Sequence, residues 1–94
     1  KNQTSSLMEI EQIKEDVFSI NPNPAKGNVN IVFHKALSDV SIELIDLNSK
    51  IIDKKRVSVK EGEKITLSSF GQKGSFIVVV KFFDRKISEK VVVI

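Results

Sequence analysis

The stretch NPNPAKG, residues 21–27, limits what this chain can fold into more than any other part of it. It holds both prolines and one of the four glycines of the chain. Proline fixes φ and has no amide hydrogen, so two prolines separated by one residue cannot lie inside a helix or a central strand. The asparagine before each proline is restricted to extended geometry, and Gly27 can supply a positive φ. The stretch therefore predicts a stiff turn that opens a β domain.

Composition limits the chain to one small domain. A chain of 94 residues buries only roughly 60–65% of its unfolded surface, which leaves little room for a deep active-site cleft. The absence of cysteine excludes disulfides and thiolate sites. No apolar run approaches the ~20 residues of a membrane helix, and the first residues lack a signal-peptide pattern. Because the chain starts at Lys1, we expect a piece of a longer protein.

Charge divides the chain into two parts. Residues 1–16 carry two lysines against four carboxylates, a balance of −2, and the remainder carries thirteen cations against eight carboxylates, a balance of +5. A basic domain can favour nucleic acid or anionic lipopolysaccharide. Here the cations are dispersed at strand spacing, without Tyr or Trp among them. We interpret them as solvated strand faces and predict no nucleic-acid partner.

The segment before the prolines is interpreted as a linker, residues 1–16, and residues 17–94 as the folded domain. Residues 1–6 are small and polar, with nothing to bury. Leu7, Ile10 and Ile13 would share one face of a short helix, whereas Met8 and Ile10 would suit an extended segment. So short a pattern decides neither, because isolated helices below ~12–15 residues are marginal.

Short apolar–polar runs after residue 16 predict about seven strands joined by turns at roughly ten-residue intervals. The charged run 51–59 is expected at a sheet edge, and the doubly apolar run 75–83 in a sheet centre. The alternation breaks at 45–47, where a bulge or a strand that changes neighbours is expected. Turns are expected at 35–39, at 47–50 with Asn48 in left-handed geometry, at 60–63, at 70–74 and at 84–85. The predicted strands are 17–20, 28–34, 40–44, 51–59, 64–68, 75–83 and 86–94. This pattern is typical of a small, all-β, antiparallel sandwich of immunoglobulin-like type.

Residues that could carry chemistry are sparse. His34 is the only histidine and is interpreted as an exposed strand end rather than a ligand or relay. Glu61 and Glu63 flank Gly62 as a charged turn. Calcium at Asp46 with Asn48 or Asp53 is left open, although the spacing fits no EF-hand loop. No nucleophile motif or phosphate loop is present, so we predict no catalysis, no metal and no cofactor.

Four motifs follow one another along residues 17–94. An apolar strand enters Pro-x-Pro-x-x-Gly at 18–27. An Asp-x-x-Gly-Lys-like hairpin follows at 46–50, with Ser49 where Gly is usual. A Gly-x-Tyr-x-Val-x-Val strand follows at 74–80, with Phe76 where Tyr is usual. A Lys plus β-branched run closes the chain at 90–94. In this order they resemble the C-terminal sorting domain of type IX secretion cargo from Bacteroidetes-type Gram-negative bacteria.

The resemblance implies a sorting signal rather than an activity. Such domains are read by the type IX translocon and outer-membrane shuttle proteins, which carry the upstream cargo in the same chain from the periplasm to the cell surface or the medium. In many cargoes a surface sortase-like cysteine protease cuts the linker, here in or before residues 1–16. The cargo is then attached to anionic lipopolysaccharide or released.

The translocon is expected to contact the turn at 22–27 and the terminal strand at 90–94, whose edge could pair with a partner strand. That these residues only complete the core stays open. The residues that carry the resemblance are Pro22, Pro24, Gly27, Asp46, Lys50, Gly74, Phe76, Lys90, Val91, Val92, Val93 and Ile94.

A second hypothesis is an accessory fibronectin-like or carbohydrate-binding module of a secreted enzyme. Sugar-binding modules present exposed aromatic rings as stacking platforms. The chain has six Phe, no Tyr and no Trp, and its phenylalanines fall at core-like or loop positions. That pattern favours the sorting signal.

Overall fold

Residues 17–94, the part that the computed structural model describes, form seven strands in two antiparallel sheets. One sheet has the order β1-β2-β5 and the other β4-β3-β6-β7. The all-β sandwich expected from the alternating pattern is confirmed. The strands are β1 (Phe18–Ile20), β2 (Asn28–Phe33), β3 (Leu37–Ile45), β4 (Ile51–Val59), β5 (Lys64–Ser68), β6 (Gly74–Phe82) and β7 (Arg85–Val93). No helix in residues 17–94 is long and apolar enough to cross a membrane.

The core lies between the two sheets and is built from alternate residues of each strand. In β2 the residues Val29, Ile31 and Phe33 are fully buried, while Asn28, Asn30 and Val32 are more accessible. Side chains on successive strand residues point to opposite faces, so this alternation places one face of the sheet on the core. Phe18 packs beside Phe33 with ring centroids 6.1 Å apart. The short first strand is thereby fixed to the three-stranded sheet.

Strand positions follow the polarity of the strands. The apolar β6 lies between β3 and β7, and the charged β4 forms an edge, as the sequence predicts. Side chains of β4 also reach the edge strand β5 of the other sheet. Lys55 Nζ donates to the Thr66 carbonyl at 2.7 Å, and Asp53 Oδ2 accepts the Ser68 N–H at 2.8 Å. These bonds satisfy backbone groups of β5 and close this side of the sandwich.

Two predicted turns are wrong in detail. The hairpin between β6 and β7 turns at Phe83 and Asp84 instead of residues 84–85, because Arg85 pairs with Phe82 to close it. Phe83 takes a φ of 55° there. The predicted turn at 35–39 is shorter, because β3 already begins at Leu37, which pairs with Val59. A register shift follows between Leu37 and Val40.

The predicted bulge at 45–47 has a counterpart one residue earlier. The pairing of β3 with β4 shifts between Leu44 and Ile45, so that Leu44 faces Asp53 and Ile45 faces Ile51. The pairing of β3 with β4 is therefore irregular at the last residue of β3, directly before the turn that joins the two strands.

Candidate recognition surface

The 21–27 turn carries the chain from the three-stranded sheet to the edge of the four-stranded sheet. Its Ala25 N–H donates to the Val92 carbonyl at 2.7 Å, and the Ile94 N–H donates to the Ala25 carbonyl at 2.8 Å. Ala25 and Val93 therefore form a parallel bridge, and Ala25 is fully buried. Both Asn–Pro peptide bonds of the turn are cis. The turn thus lies against the terminal strand as a single rung of sheet.

The side chain of Asn23 continues this rung along β7. Its Oδ1 accepts the Val92 N–H at 3.3 Å, and its Nδ2 donates to the Lys90 carbonyl at 3.5 Å, a long bond. An asparagine side chain has the same donor and acceptor groups as a peptide unit. It therefore takes the place of a neighbouring strand beside Lys90 and Val92. Sequence reasoning missed both Asn23 and Ala25, because nothing in their local pattern indicates a partner at the far end of the chain.

Gly27 ends the turn at a position that favours glycine. Its φ is +78°, in the left-handed region, and its carbonyl accepts the Ser69 N–H at 3.0 Å. At the start of the turn, the Asn21 N–H donates to the Asn30 carbonyl at 3.1 Å. The turn is therefore anchored to β2, to the loop after β5 and to β7.

The turn at 46–50 is organised by the carboxylate of Asp46. Its Oδ1 accepts the N–H groups of Asn48 and Lys50, both at 2.9 Å. Ser49, and not Asn48 as expected, adopts the left-handed conformation, with φ 67°. Ser49 stands where glycine is usual in the resembling pattern, and glycine adopts this conformation without steric strain. The geometry of the turn thus explains why the motif has an aspartate at its start and usually a glycine three residues later.

Gly74 and Phe76 open β6 beside the terminal strand. Gly74 pairs with Val93 at a φ of +120°, and Phe76 pairs with Val91. The Phe76 side chain is 3% exposed and belongs to the core. Its ring therefore contributes packing from inside the sandwich.

All four motifs lie at one end of the sandwich. Gly74 at the start of β6 pairs with Val93 at the end of β7, Ile77 in β6 pairs with Ile45 at the end of β3, and Ala25 bridges to Val93. We call residues 21–27, 46–50, 74–76 and 90–94 together the motif end. Its buried members are Ala25, Phe76, Val91 and Val93. Its exposed members include Pro22, Pro24, Lys50, Gly74, Lys90 and Ile94.

The motif end and the loop beside it, between β5 and β6, also present large apolar side chains to solvent. Leu47 in the turn at 46–50 is 66% exposed, and Ile94 is 56% exposed. Phe70 is 69% exposed and directly follows Ser69, whose N–H binds the carbonyl of Gly27. Sequence reasoning did not single out Leu47 or Phe70, because it places no apolar side chains from separate turns side by side.

Residues considered for metal or acid–base chemistry have structural contacts. His34 is exposed, with Nε2 3.1 Å from the Ser19 hydroxyl. Glu63 Oε1 accepts the Lys60 N–H at 2.9 Å. Asp53 binds backbone N–H groups with both carboxylate oxygens. In the part of the chain that the structure describes, no group of three or more His, Cys, Asp or Glu side chains is placed to hold a metal ion.

The exposed aromatic side chains do not form one platform. Phe70 precedes β6, and Phe83, 83% exposed, follows it. The nine residues of β6 separate them by roughly 25–30 Å, because an extended residue advances about 3.3 Å. A sugar chain could not stack on both rings at neighbouring positions.

The comparison with protein families agrees with the order and the placement of the motifs. A family described as the secretion system C-terminal sorting domain matches residues 19–94. No curated protein matches the chain. The family match includes the 21–27 turn, the turn at 46–50, β6 and the terminal strand. The chain belongs to the family of type IX secretion system C-terminal sorting domains.

Proposed function

We propose that the type IX translocon and its outer-membrane shuttle proteins read this domain at the motif end. Family membership itself indicates a type IX sorting signal, hence export across the outer membrane to the cell surface or the medium. The family is not a catalytic one. The observation that supports the finer proposal is the bonding of Ala25 to Val92 and Ile94. These bonds join the 21–27 turn, near the start of the domain's sequence, to the terminal strand, and so bring two motifs onto one surface.

The exposed side chains at and beside the motif end are of the types that form protein interfaces. Leu47, Phe70 and Ile94 offer apolar anchors, with Pro22 and Pro24 exposed in the adjoining turn. Protein interfaces are centred on apolar and aromatic side chains that become desolvated, with a polar rim around them. The motif end has both features, because Lys50 and Lys90 are exposed beside these side chains.

We further propose that a surface sortase-like cysteine protease cuts the chain in or before residues 1–16, which frees or anchors an upstream cargo. Residues 1–6 are small and polar, the composition in which proteolytic cuts concentrate. The domain from β1 onward would then be removed after export.

Two phenylalanines offer a matched pair for testing the reading surface. Phe70 and Phe83 are both exposed and both have positive φ, 52° and 55°, but only Phe70 lies beside the motif end, in the loop whose Ser69 bonds to Gly27. A periplasmic reporter is fused before Lys1 and expressed in a type IX-competent bacterium, with the substitutions Phe70→Asn or Phe83→Asn. Asparagine tolerates positive φ, so both variants should fold. We expect Phe70→Asn combined with Ile94→Asp to keep most reporter in the periplasm, and Phe83→Asn to be exported like the unchanged chain.

Immunoblots of periplasm, cell surface and medium report export and cutting, and thermal unfolding of the purified domains checks the fold. Equal export of folded Phe70→Asn/Ile94→Asp and Phe83→Asn would refute the motif end as the reading surface. Retention of the unchanged fusion in the periplasm without cutting would refute the sorting proposal as a whole. Retention together with glycan binding would support the accessory-module hypothesis instead.

A further inference from the structure

The face of the four-stranded sheet that points away from the core carries an apolar patch. In β6 the residues Phe76, Val78 and Val80 belong to the core, so Ile77 and Val79 point to the opposite face. Ile77 lies opposite Ile45, and Ile45 lies opposite Ile51. The patch consists of Ile51, which is 47% exposed, and the half-buried Ile45, Ile77 and Val92, beside Val79, which neighbouring side chains bury to 4% exposure. The solvent face of an antiparallel sheet is normally polar, so this face is unusual.

Cationic side chains surround the patch on the same face. Lys90 lies opposite Ile77, Lys54 opposite Glu43, and Lys86 opposite Lys81. Two like charges directly opposite each other on neighbouring strands repel. Lys54, Lys81, Lys86 and Lys90 therefore form a positively charged rim around the patch. Binding of an acidic partner would reduce the repulsion between these charges.

Carboxylates on this face compensate only part of the charge. Glu43 Oε1 lies 4.0 Å from Lys81 Nζ. Asp39 binds Arg56 through two bonds of 2.6 and 2.9 Å. These hydrogen bonds, together with the charge of the guanidinium, hold the pKa of Asp39 below its usual value. Asp39 thus stays charged and neutralises Arg56. In residues 17–94, the ion pairs on this face leave Lys54, Lys86 and Lys90 for another partner.

We propose that residues 7–16 of this chain dock on the outer face of the four-stranded sheet. Their sequence, LMEIEQIKED, combines the apolar Leu7, Met8, Ile10 and Ile13 with the acidic Glu9, Glu11, Glu15 and Asp16. This composition complements both the apolar patch and its cationic rim. The segment carries one lysine, Lys14, against four carboxylates.

The point at which the chain enters the domain permits this contact. The Val17 carbonyl accepts the His34 N–H at 2.9 Å, which places Val17 at the end of β2. The 21–27 turn links β1 to the edge at β7, so β1 and β7 lie on the same side of the sandwich. Val17 lies at the end of the sandwich opposite to the motif end, and the Ile77–Lys90 pair lies five residues of β7 beyond Arg85, about 17 Å along the sheet. Packed sheets lie about 10 Å apart. Ile10 and Leu7 precede Val17 by seven and ten residues, which extend to about 23 and 33 Å, so this part of the segment can pass the edge of β7 and reach the patch.

Attachment to the domain makes a weak contact sufficient. Two binding partners joined by a short stretch of one chain meet at an effective concentration in the millimolar range, so a dissociation constant of that order leaves the segment docked about half of the time. The docking itself does not depend on the proposed function.

The lack of cysteine allows a clean spin-label experiment on residues 1–94. A nitroxide is attached at Gln12→Cys, and paramagnetic broadening of backbone amide signals is measured by NMR. We expect the amides of Ile77, Val79 and Ser88 to lose at least half of their intensity, and Leu67 in the other sheet to keep its intensity. The triple variant Lys54→Glu, Lys86→Glu, Lys90→Glu should abolish the broadening. A matched triple variant, Lys60→Glu, Lys64→Glu, Lys73→Glu, changes exposed lysines elsewhere and should keep it.

A protease that cuts after glutamate gives a second measurement without any export machinery. We expect the Lys54/Lys86/Lys90 variant to be cut within residues 1–16 at least twice as fast as the matched variant. Uniform broadening, or equal broadening in both triple variants, would overturn the proposal. So would broadening that appears only between labelled and unlabelled chains in a mixture, because it would indicate a second copy. Export of the reporter fusion is measured separately, so failure of docking and failure of the sorting function give different results.

Discussion

Ser49 shows how a single residue can depart from a family pattern and keep its geometry. Its φ of 67° lies in the left-handed region, where a residue with a Cβ is strained by roughly 1–2 kcal/mol. The bonds from Asp46 Oδ1 to the N–H groups on either side of Ser49 hold the turn in this shape. The hydrogen bonds of the turn therefore impose the left-handed conformation on residue 49, and serine adopts it despite the strain.

Replacing Ser49 by glycine should stabilise the domain. Glycine removes the strain but loses more backbone entropy on folding, so we expect Ser49→Gly to raise the free energy of unfolding by about 0.5–1 kcal/mol. Urea denaturation of the purified domain measures this change. Asn48→Gly is the matched control, because Asn48 is not among the positive-φ residues, and it should lower stability. A less stable Ser49→Gly would show that the serine makes a contact that outweighs its strain.

At the scale of elements, the two edges of the four-stranded sheet are protected in different ways. The β4 edge carries lysines, and its side chains bind backbone groups of β5. The β7 edge is covered near its end by the Ala25 backbone and the Asn23 side chain. Unpaired edges invite pairing with other chains. Nearer the start of β7, Lys86 and Ser88 are exposed.

Loss of the Asn23 side chain should open the end of β7. We expect Asn23→Ala to lower the free energy of unfolding by about 0.5–1.5 kcal/mol, the net value of a typical hydrogen bond. Hydrogen exchange of the Val92 amide should become faster by several-fold. NMR-detected exchange measures it residue by residue. Asn21→Ala is the control, because Asn21 also precedes a proline but bonds to β2 through its backbone. Unchanged exchange at Val92 would mean that the Asn23 contact does not hold the edge.

At the scale of the whole molecule, the terminal strand belongs to the core as well as to the motif end. Val91 and Val93 are 0% and 2% exposed, and burying such a side chain contributes about 1.5–3 kcal/mol. A domain of 78 described residues has a total stability of about 4–12 kcal/mol. The last residues thus carry a large share of the stability.

Removing residues 90–94 should therefore abolish cooperative unfolding near physiological temperature. Removing Ile94 alone should leave a folded domain with a modestly lower melting temperature, because its side chain is 56% exposed and one backbone bond to Ala25 is lost. Circular dichroism melting curves distinguish the two truncations. Loss of export on the longer truncation would then report unfolding and not recognition. A folded protein lacking residues 90–94 would contradict this account and make that truncation a valid export test.

Much of this architecture follows from local chemistry. Alternation of apolar and polar residues predicted the strands, because side chains of a strand point to opposite faces. The two prolines predicted the turn at 21–27, and the motif order predicted the family. The shift of the last hairpin to Phe83 and Asp84 was missed, because pairing of Phe82 with Arg85 depends on the register of two whole strands. The left-handed residue was assigned to Asn48 by intrinsic preference, whereas the Asp46 bonds place it at Ser49.

By itself, then, the sequence determined an all-β domain, its strand boundaries to within a few residues, its stiff opening turn and its family. Only the tertiary structure decided that this turn lies against the terminal strand, and that Asn23 and Ala25 bond to residues near Ile94. Backbone hydrogen bonds between distant segments are the same for every residue type except proline. A pairing of this kind leaves little trace in sequence pattern, and it is the packing of two sheets around a shared core that brings the two ends of the domain together.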